Sequence, residues 1–339
     1  MGAAPLEGTG VTMKRSASPI LQRLAAFALL IASGVVTHAE EKAAVIVAIG
    51  APGDAAYAGV FEKWAGHWER AAEAAGATCE RIGGEGDAAD SLTRLRAAVA
   101  THGGKSAEPL WLVLMGHGTD DGKEPKFNLR GADLSVLELA EWLRPVQRPV
   151  VLVAGFSTSG AFLKPLSGPG RVIVCGTRSG RESNFARFAG YLAEAIADPA
   201  TDLDKDGATS LLEAWLAAAR QTADFYKDQG RIATEHSLLD DNGDGSGTPA
   251  DWFQGLRAVK RARDNQPADG LRANQLHLIP SSADQALPPE AKARRDELER
   301  DLASLREAKG TMSEDDYLAK IEAILVQIAR IYRGEIRTE

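Results

Sequence analysis

Between residues 43 and 175, continuous apolar runs alternate with stretches whose apolar residues recur every three or four positions. Residues 43–49 carry no polar side chain and stop at Gly50, the pattern of a strand buried on both faces. Over 57–75, Phe61, Trp64, Trp68, Ala71 and Ala72 fall on one side of a helix. A short strand at 78–82, a helix at 91–100, a buried strand at 110–115 and a helix at 134–143 continue the rhythm. Buried strands at 149–154 and 171–175 follow, with a short helix from Ser159 between them. Strand, helix, strand in this order predicts an α/β fold: a mainly parallel sheet with helices on both faces.

From Phe188 the pattern turns helical, over 188–197 and 210–226. Residues 264–288, rich in Asn, Gln, Asp, Pro and Ser, read as a linker with a short extended piece at 276–279. A C-terminal helical hairpin is expected over 289–339. Its first arm is dominated by Arg, Glu and Asp, and Gly310 ends it. Ser313 then caps the second arm, with Glu314, Asp315 and Asp316 in the first turn. Leu318, Ile321, Ile324, Leu325, Ile328 and Ile331 form an apolar stripe there, read as a packing surface. The expected organisation is therefore 1–39, a main domain over 40–263, the linker 264–288 and the hairpin 289–339.

The first of these segments has the three parts of a secretory signal. Met13-Lys14-Arg15 opens a basic stretch, 24–36 is apolar apart from Ser33, and Thr37-His38-Ala39 offers small residues for cleavage. The apolar run falls short of the ~20 residues of a bilayer span, so export to the periplasm or medium is expected, without stable membrane insertion once the signal leaves. A retained anchor is the alternative. The formal charge of −8, with no clustered basic face, argues against nucleic acid and suits cations better. Cys79 and Cys175 both lie in apolar, strand-like contexts and read as buried free thiols, although export would permit a disulfide.

In an open α/β sheet, chemistry collects beyond the carboxyl ends of the strands. The strand at 110–115 runs into Gly116-His117-Gly118, and that at 149–154 into Gly155-Phe156-Ser157-Thr158-Ser159-Gly160. A base beside a small nucleophile, with backbone N–H donors such as that of Gly118, meets the needs of acyl transfer. His117 could equally cap its strand by bonding a neighbouring carbonyl. Of the other histidines, His236 is the remaining site candidate and His277 reads as structural.

The stretch from His117 to Ala186 resembles the legumain family of asparaginyl endopeptidases and, more broadly, caspase-like cysteine peptidases. Gly116-His117-Gly118 matches the family's His-Gly, and Ser157-Thr158-Ser159-Gly160 falls on its Cys-x-Ser-Gly, so Ser157 stands where the family has its catalytic cysteine. Arg181-Glu182-Ser183 looks like the loop lining the family's primary specificity pocket, which implies Arg181 and Glu182 as substrate-binding residues. The resemblance implies a caspase-like sheet and a cleft for a peptide or protein ligand. A serine hydroxyl is far less acidic than a thiol and needs a base that a third group orients. Two readings follow: a peptidase homologue that binds without cleaving, or a hydrolase using His117 and Ser157.

Two acidic loops complete the chemistry. Asp202-Leu203-Asp204-Lys205-Asp206-Gly207, with Ala208, Ser210 and Glu213, supplies oxygens at loop positions one, three, five, seven, nine and twelve of an EF-hand. Asp240, Asn242, Asp244 and Asp251 repeat that spacing, with Asp in place of Glu at the last position. Calcium is the expected cofactor.

Overall fold

The computed structural model describes residues 1–2, 42–86, 90–261 and 268–335. The chain divides into two units, Met1–Glu41 and Lys42–Glu339. Residues 3–39 of the expected signal lie outside the described residues.

The second unit opens with β1 (Ala44–Ile49), α1 (Ala55–Ala74), β2 (Thr78–Ile82), α2 (Ser91–His102) and β3 (Leu110–Gly116). Three two-residue strands, β4 (Gly118–Thr119), β5 (Lys126–Phe127) and β6 (Leu134–Ser135), then form a small antiparallel sheet of their own. After α3 (Val136–Leu143) come β7 (Val150–Phe156), α4 (Gly160–Leu166) and β8 (Arg171–Cys175). The chain continues with α5 (Phe188–Ala195), α6 (Leu211–Asp228), β9 (Leu238–Asp240), β10 (Thr248–Pro249) and a ribbon of β11 (Phe253–Gln254) and β12 (Arg257–Ala258). Two short helices, α7 (Leu271–Asn274) and α8 (Ser282–Gln285), precede the long pair α9 (Pro289–Glu307) and α10 (Glu314–Tyr332).

The main sheet has seven strands in the order β10-β9-β8-β7-β3-β1-β2. β1, β2, β3, β7 and β8 are parallel, as the apolar runs of β1, β3, β7 and β8 predict. Strand pleating sends alternate residues to opposite faces. Val45, Val47, Trp111, Val113, Val151 and Val153 enter a core under α1, α5 and α6, while Ile46, Leu112, Leu114, Leu152 and Ile173 enter one under α2, α3 and α4. Two covered faces explain why β1, β3 and β7 show no polar alternation. The antiparallel additions β9 and β10 are three and two residues long, too short for any periodicity to announce them.

The two cysteines part company. Cys175, in β8, is buried, and burial pushes its thiol up. Cys79 is exposed, which corrects the expectation of two buried thiols: β2 is the edge strand and pairs only with β1. Neither is bonded to the other.

Over 268–288 the stretch read as a linker is packed. Asp269, Ala273, Leu278 and Asp284 are buried, and Leu211 N–H donates to the Leu276 carbonyl. Composition misleads here because the polar side chains are spent on capping, as where Ser281 accepts from Asp284 N–H at the start of α8. The helical hairpin forms as expected. Its first arm, α9, holds it to this segment: Arg295 pairs with Asp284, and the Gln275 amide donates to Glu299. No helix among the described residues is long and apolar enough to cross a membrane.

Candidate functional site

β1 and β3 are neighbours, but the chain leaves β1 towards β2 on one side and β3 towards β7 on the other. Connections departing in opposite directions open a crevice at the carboxyl ends of the two strands. His117 stands there, just past β3, and its Nε2 lies 3.1 Å from the carbonyl oxygen of Pro52, just past β1. A carbonyl only accepts, so Nε2 carries the proton and the neutral ring keeps its lone pair at Nδ1. Three aromatic rings surround the imidazole: Tyr57 at 5.1 Å, Phe61 at 5.5 Å and Phe185 at 6.0 Å between centroids. Burial holds the His117 pKa below its ordinary value, against the pull of the Pro52 bond. The ring is thus neutral at pH 7, with one nitrogen already committed.

Ser157 lies one residue past β7 and is 1 % exposed. Its Oγ accepts the Gly118 N–H at 3.0 Å and donates to the Gly118 carbonyl at 3.3 Å. Hydroxyl and oxyanion donor are therefore bonded to each other. So close an approach requires glycine at 118, because a Cβ there would run into the Ser157 carbonyl, the Phe156 ring and the Thr158 hydroxyl. Among the described residues no hydrogen bond joins His117 to Ser157, and the strand-capping role considered for His117 is the one its Nε2 performs.

The next residue is strained. Thr158 has φ +67°, left-handed backbone that a β-branched residue rarely adopts, and its buried Oγ1 has no partner. What holds it is the N–H of Thr158 on the Glu182 carbonyl at 2.8 Å, with Ser159 and Thr177 hydroxyls paired at 3.1 Å beside it. Left-handed strain costs about 1–2 kcal/mol and an unpaired hydroxyl about 1–3. Against these, glycine costs about 0.5–1 kcal/mol in chain entropy and a lost methyl about 0.8. Thr158→Gly should therefore stabilise the protein by about 1 kcal/mol in urea unfolding. A loss of stability would show the strain to be absent.

Glu182 does not offer a bare carboxylate. It accepts from the Arg178 N–H at 2.9 Å and from the His236 N–H at 3.1 Å, and its Oε1 lies 2.6 Å from His236 Nδ1. Arg178 Nε adds a second bond at 3.0 Å. Arg181, by contrast, is exposed. His236 thus reaches the site through Glu182, a contact that its sequence neighbours do not announce.

The two acidic loops share one backbone. In the first, Asp202 accepts from Lys205 N–H (2.6 Å) and Gly207 N–H (3.2 Å), Asp204 from Asp206 N–H and Asp206 from Ala208 N–H. In the second, Asp240 accepts from Gly243 N–H (2.9 Å) and Gly245 N–H (3.1 Å), Asn242 from Asp244 N–H and Asp244 from Ser246 N–H. Both loops use positive φ at positions four and six, where the second has glycine and the first has Lys205 and Gly207. Carboxylate oxygens of Asp202, Asp204 and Asp206 lie within 4.8 Å of one another. His277 stands 3.6 Å from Asp206.

The loops close differently. In the first, Glu213 accepts Leu203 N–H (2.6 Å) and Asp204 N–H (3.3 Å), while its other oxygen takes the Ser210 hydroxyl (2.8 Å). In the second, Asp251 turns out to Lys260 at 2.7 Å and is 71 % exposed. Asp269 makes the equivalent bonds: Asp241 N–H (2.9 Å), Asn242 N–H (3.2 Å) and the Thr248 hydroxyl (2.7 Å). Burial pushes the pKa values of Asp241 and Asp269 up together. Sequence spacing could not find Asp269, which sits 29 residues beyond Asp240. The Gly270 that follows it leaves room for the Phe253 ring, where a Cβ would clash.

No protein-family model and no curated protein matches the chain. Among solved structures, the Drosophila initiator caspase Dronc is similar at 15 % identity and a TM-score of 0.42, over 61 % of this chain and 81 % of that one.

Proposed function

We propose that this chain is an exported homologue of legumain-like and caspase-like peptidases that binds a peptide or protein without hydrolysing it, its loops stabilised by calcium. The bonding of Ser157 carries the reading. Its hydroxyl donates a hydrogen bond to the Gly118 carbonyl and accepts one from the Gly118 N–H, so both directions of bonding are satisfied inside the protein. Attack on a carbonyl would have to break both bonds while also freeing the oxyanion donor. His117 is turned to Pro52, and among the described residues no carboxylate is bonded to it to support the positive charge it would acquire.

The ligand would lie over the aromatic wall of Tyr57 and Phe185, whose rings stack at 4.6 Å beside His117. Exposed Arg181 is suited to an acidic or amide side chain, because Glu182 is already bonded to Arg178 and to the His236 ring. Calcium would be held by Asp202, Asp204, Asp206, the Ala208 carbonyl, Ser210 and Glu213 in one loop. In the other, Asp240, Asn242 and Asp244 would be closed by Asp269. Oxygen donors of this kind suit a hard cation.

The test is hydrolysis of a diverse fluorogenic peptide library by the wild-type chain, with and without calcium. No turnover is expected, Ser157→Ala should leave peptide binding unchanged, and Ser157→Cys should acquire labelling by electrophiles. Turnover lost on either Ser157→Ala or His117→Ala would instead establish a His117–Ser157 hydrolase.

A further inference from the structure

The hairpin's outer helix buries little of its apolar stripe. α9 faces the body of the protein through Arg295 and through Glu299, which accepts from Gln275, and α10 packs on α9 through Ile324, Ile328 and Ile331. That leaves Leu318, Leu325 and Tyr332, spaced by seven, at 54 %, 46 % and 47 % exposed, with Val326 at 41 % beside them. Half-buried Ile321 fills the first gap and Ile328, which also packs on α9, the second, so the row has the alternating three- and four-residue spacing of a helix–helix seam. The row ends in opposite charges. Glu314, Asp315 and Asp316 occupy the first turn, Arg330 the last, and Arg333 caps the end.

We propose that this face is a homodimer contact in which α10 of one copy packs antiparallel on α10 of a second. The pattern is self-complementary about Leu325. Leu318 and Tyr332 lie seven residues to either side, roughly 10 Å along the axis, so a two-fold axis at Leu325 sets Leu318 against the partner's Tyr332. Asp315 and Arg333 are eighteen residues apart, five whole turns, and share one flank of the seam. Asp315 lies roughly 15 Å before Leu325 and Arg333 roughly 12 Å after it, so each meets the other's counterpart across the axis. A parallel pairing would set like charges together at both ends, and charge therefore selects the antiparallel one.

Half a dozen side chains per copy fall well below the ~20–30 of a standard interface, so dissociation in the micromolar range is expected. Analytical ultracentrifugation of the chain as its host produces it, from about 1 to 300 μM, should show monomer passing to dimer. Leu325→Glu puts two carboxylates on the two-fold axis and should weaken association at least tenfold, on the order of 1.4 kcal/mol. Asp315→Arg and Arg333→Asp should each weaken it, while the double variant restores wild-type dissociation by re-forming the pair with reversed sign. All three positions are exposed, and thermal melts check that the hairpin stays folded. A monomer across the whole range overturns the proposal. So does a dimer indifferent to Leu325→Glu, or a charge swap that does not restore association.

Discussion

Calcium at about 1 mM is expected to raise the melting temperature by roughly 5–10 °C over the same protein in chelator. The loops gather negative charge that little else balances. Asp202, Asp204 and Asp206 converge within 4.8 Å, and Glu213 and Asp269 are 1 % and 3 % exposed. Lys205, the nearest lysine in the first loop, sends its ammonium to the Asp202 backbone carbonyl. A ligand that binds only the folded chain, at a hundred times its dissociation constant, contributes about 2.7 kcal/mol. In a chain of this size each kcal/mol is worth about 2–4 °C.

Glu213→Gln separates metal binding from helix capping. Glutamine can keep the reciprocal bond with Ser210 that starts α6, but loses the charge a cation needs. The variant should melt near wild type in chelator and gain much less from calcium. Asp269→Asn should remove the remainder, while Asp251→Asn should change little, because Asp251 faces Lys260. Superimposable melts in calcium and chelator would sink the assignment.

The second large effect is expected at Arg295. Its side chain is 4 % exposed and serves Asp284, Asp296 and the Tyr332 hydroxyl, which ties α8, α9 and α10 at one point. Breaking a buried pair by removing one partner costs about 3–5 kcal/mol, because the other charge stays buried alone. Asp284 is that partner, 5 % exposed in its side chain. Arg295→Ala should therefore lower stability by about 3–5 kcal/mol and expose the hairpin to limited proteolysis. Arg295→Lys keeps the charge but not the planar fork, and should fall between. The double variant Arg295→Met with Asp284→Leu should recover much of the loss, since an apolar pair of similar volume avoids the desolvation cost. An Arg295→Ala protein that melts with the wild type would show that the hairpin is held elsewhere.

Part of this was legible along the chain. Apolar runs at 43–49, 110–115 and 149–154 required strands covered on both faces, and the helical spacing of Phe61, Trp64 and Trp68 required a helix to cover them. The first acidic loop was legible because its candidate ligands fall within twelve residues, and local backbone alone brings them together. The hairpin arms were legible from the break at Gly310 and the cap at Ser313.

What only the tertiary structure decided lies at long sequence separation. The tautomer of His117 depends on Pro52, 65 residues earlier, because β1 and β3 are neighbours whose outgoing connections depart in opposite directions. The Ser157 hydroxyl is bonded to Gly118, 39 residues away, through the pairing of β3 with β7. Glu182 is taken by His236, and the second loop is closed by Asp269 in place of Asp251. Residue types and spacing prescribe local dihedrals and which faces must be buried. They do not prescribe which distant backbone carbonyl or carboxylate will be the nearest partner once those faces close.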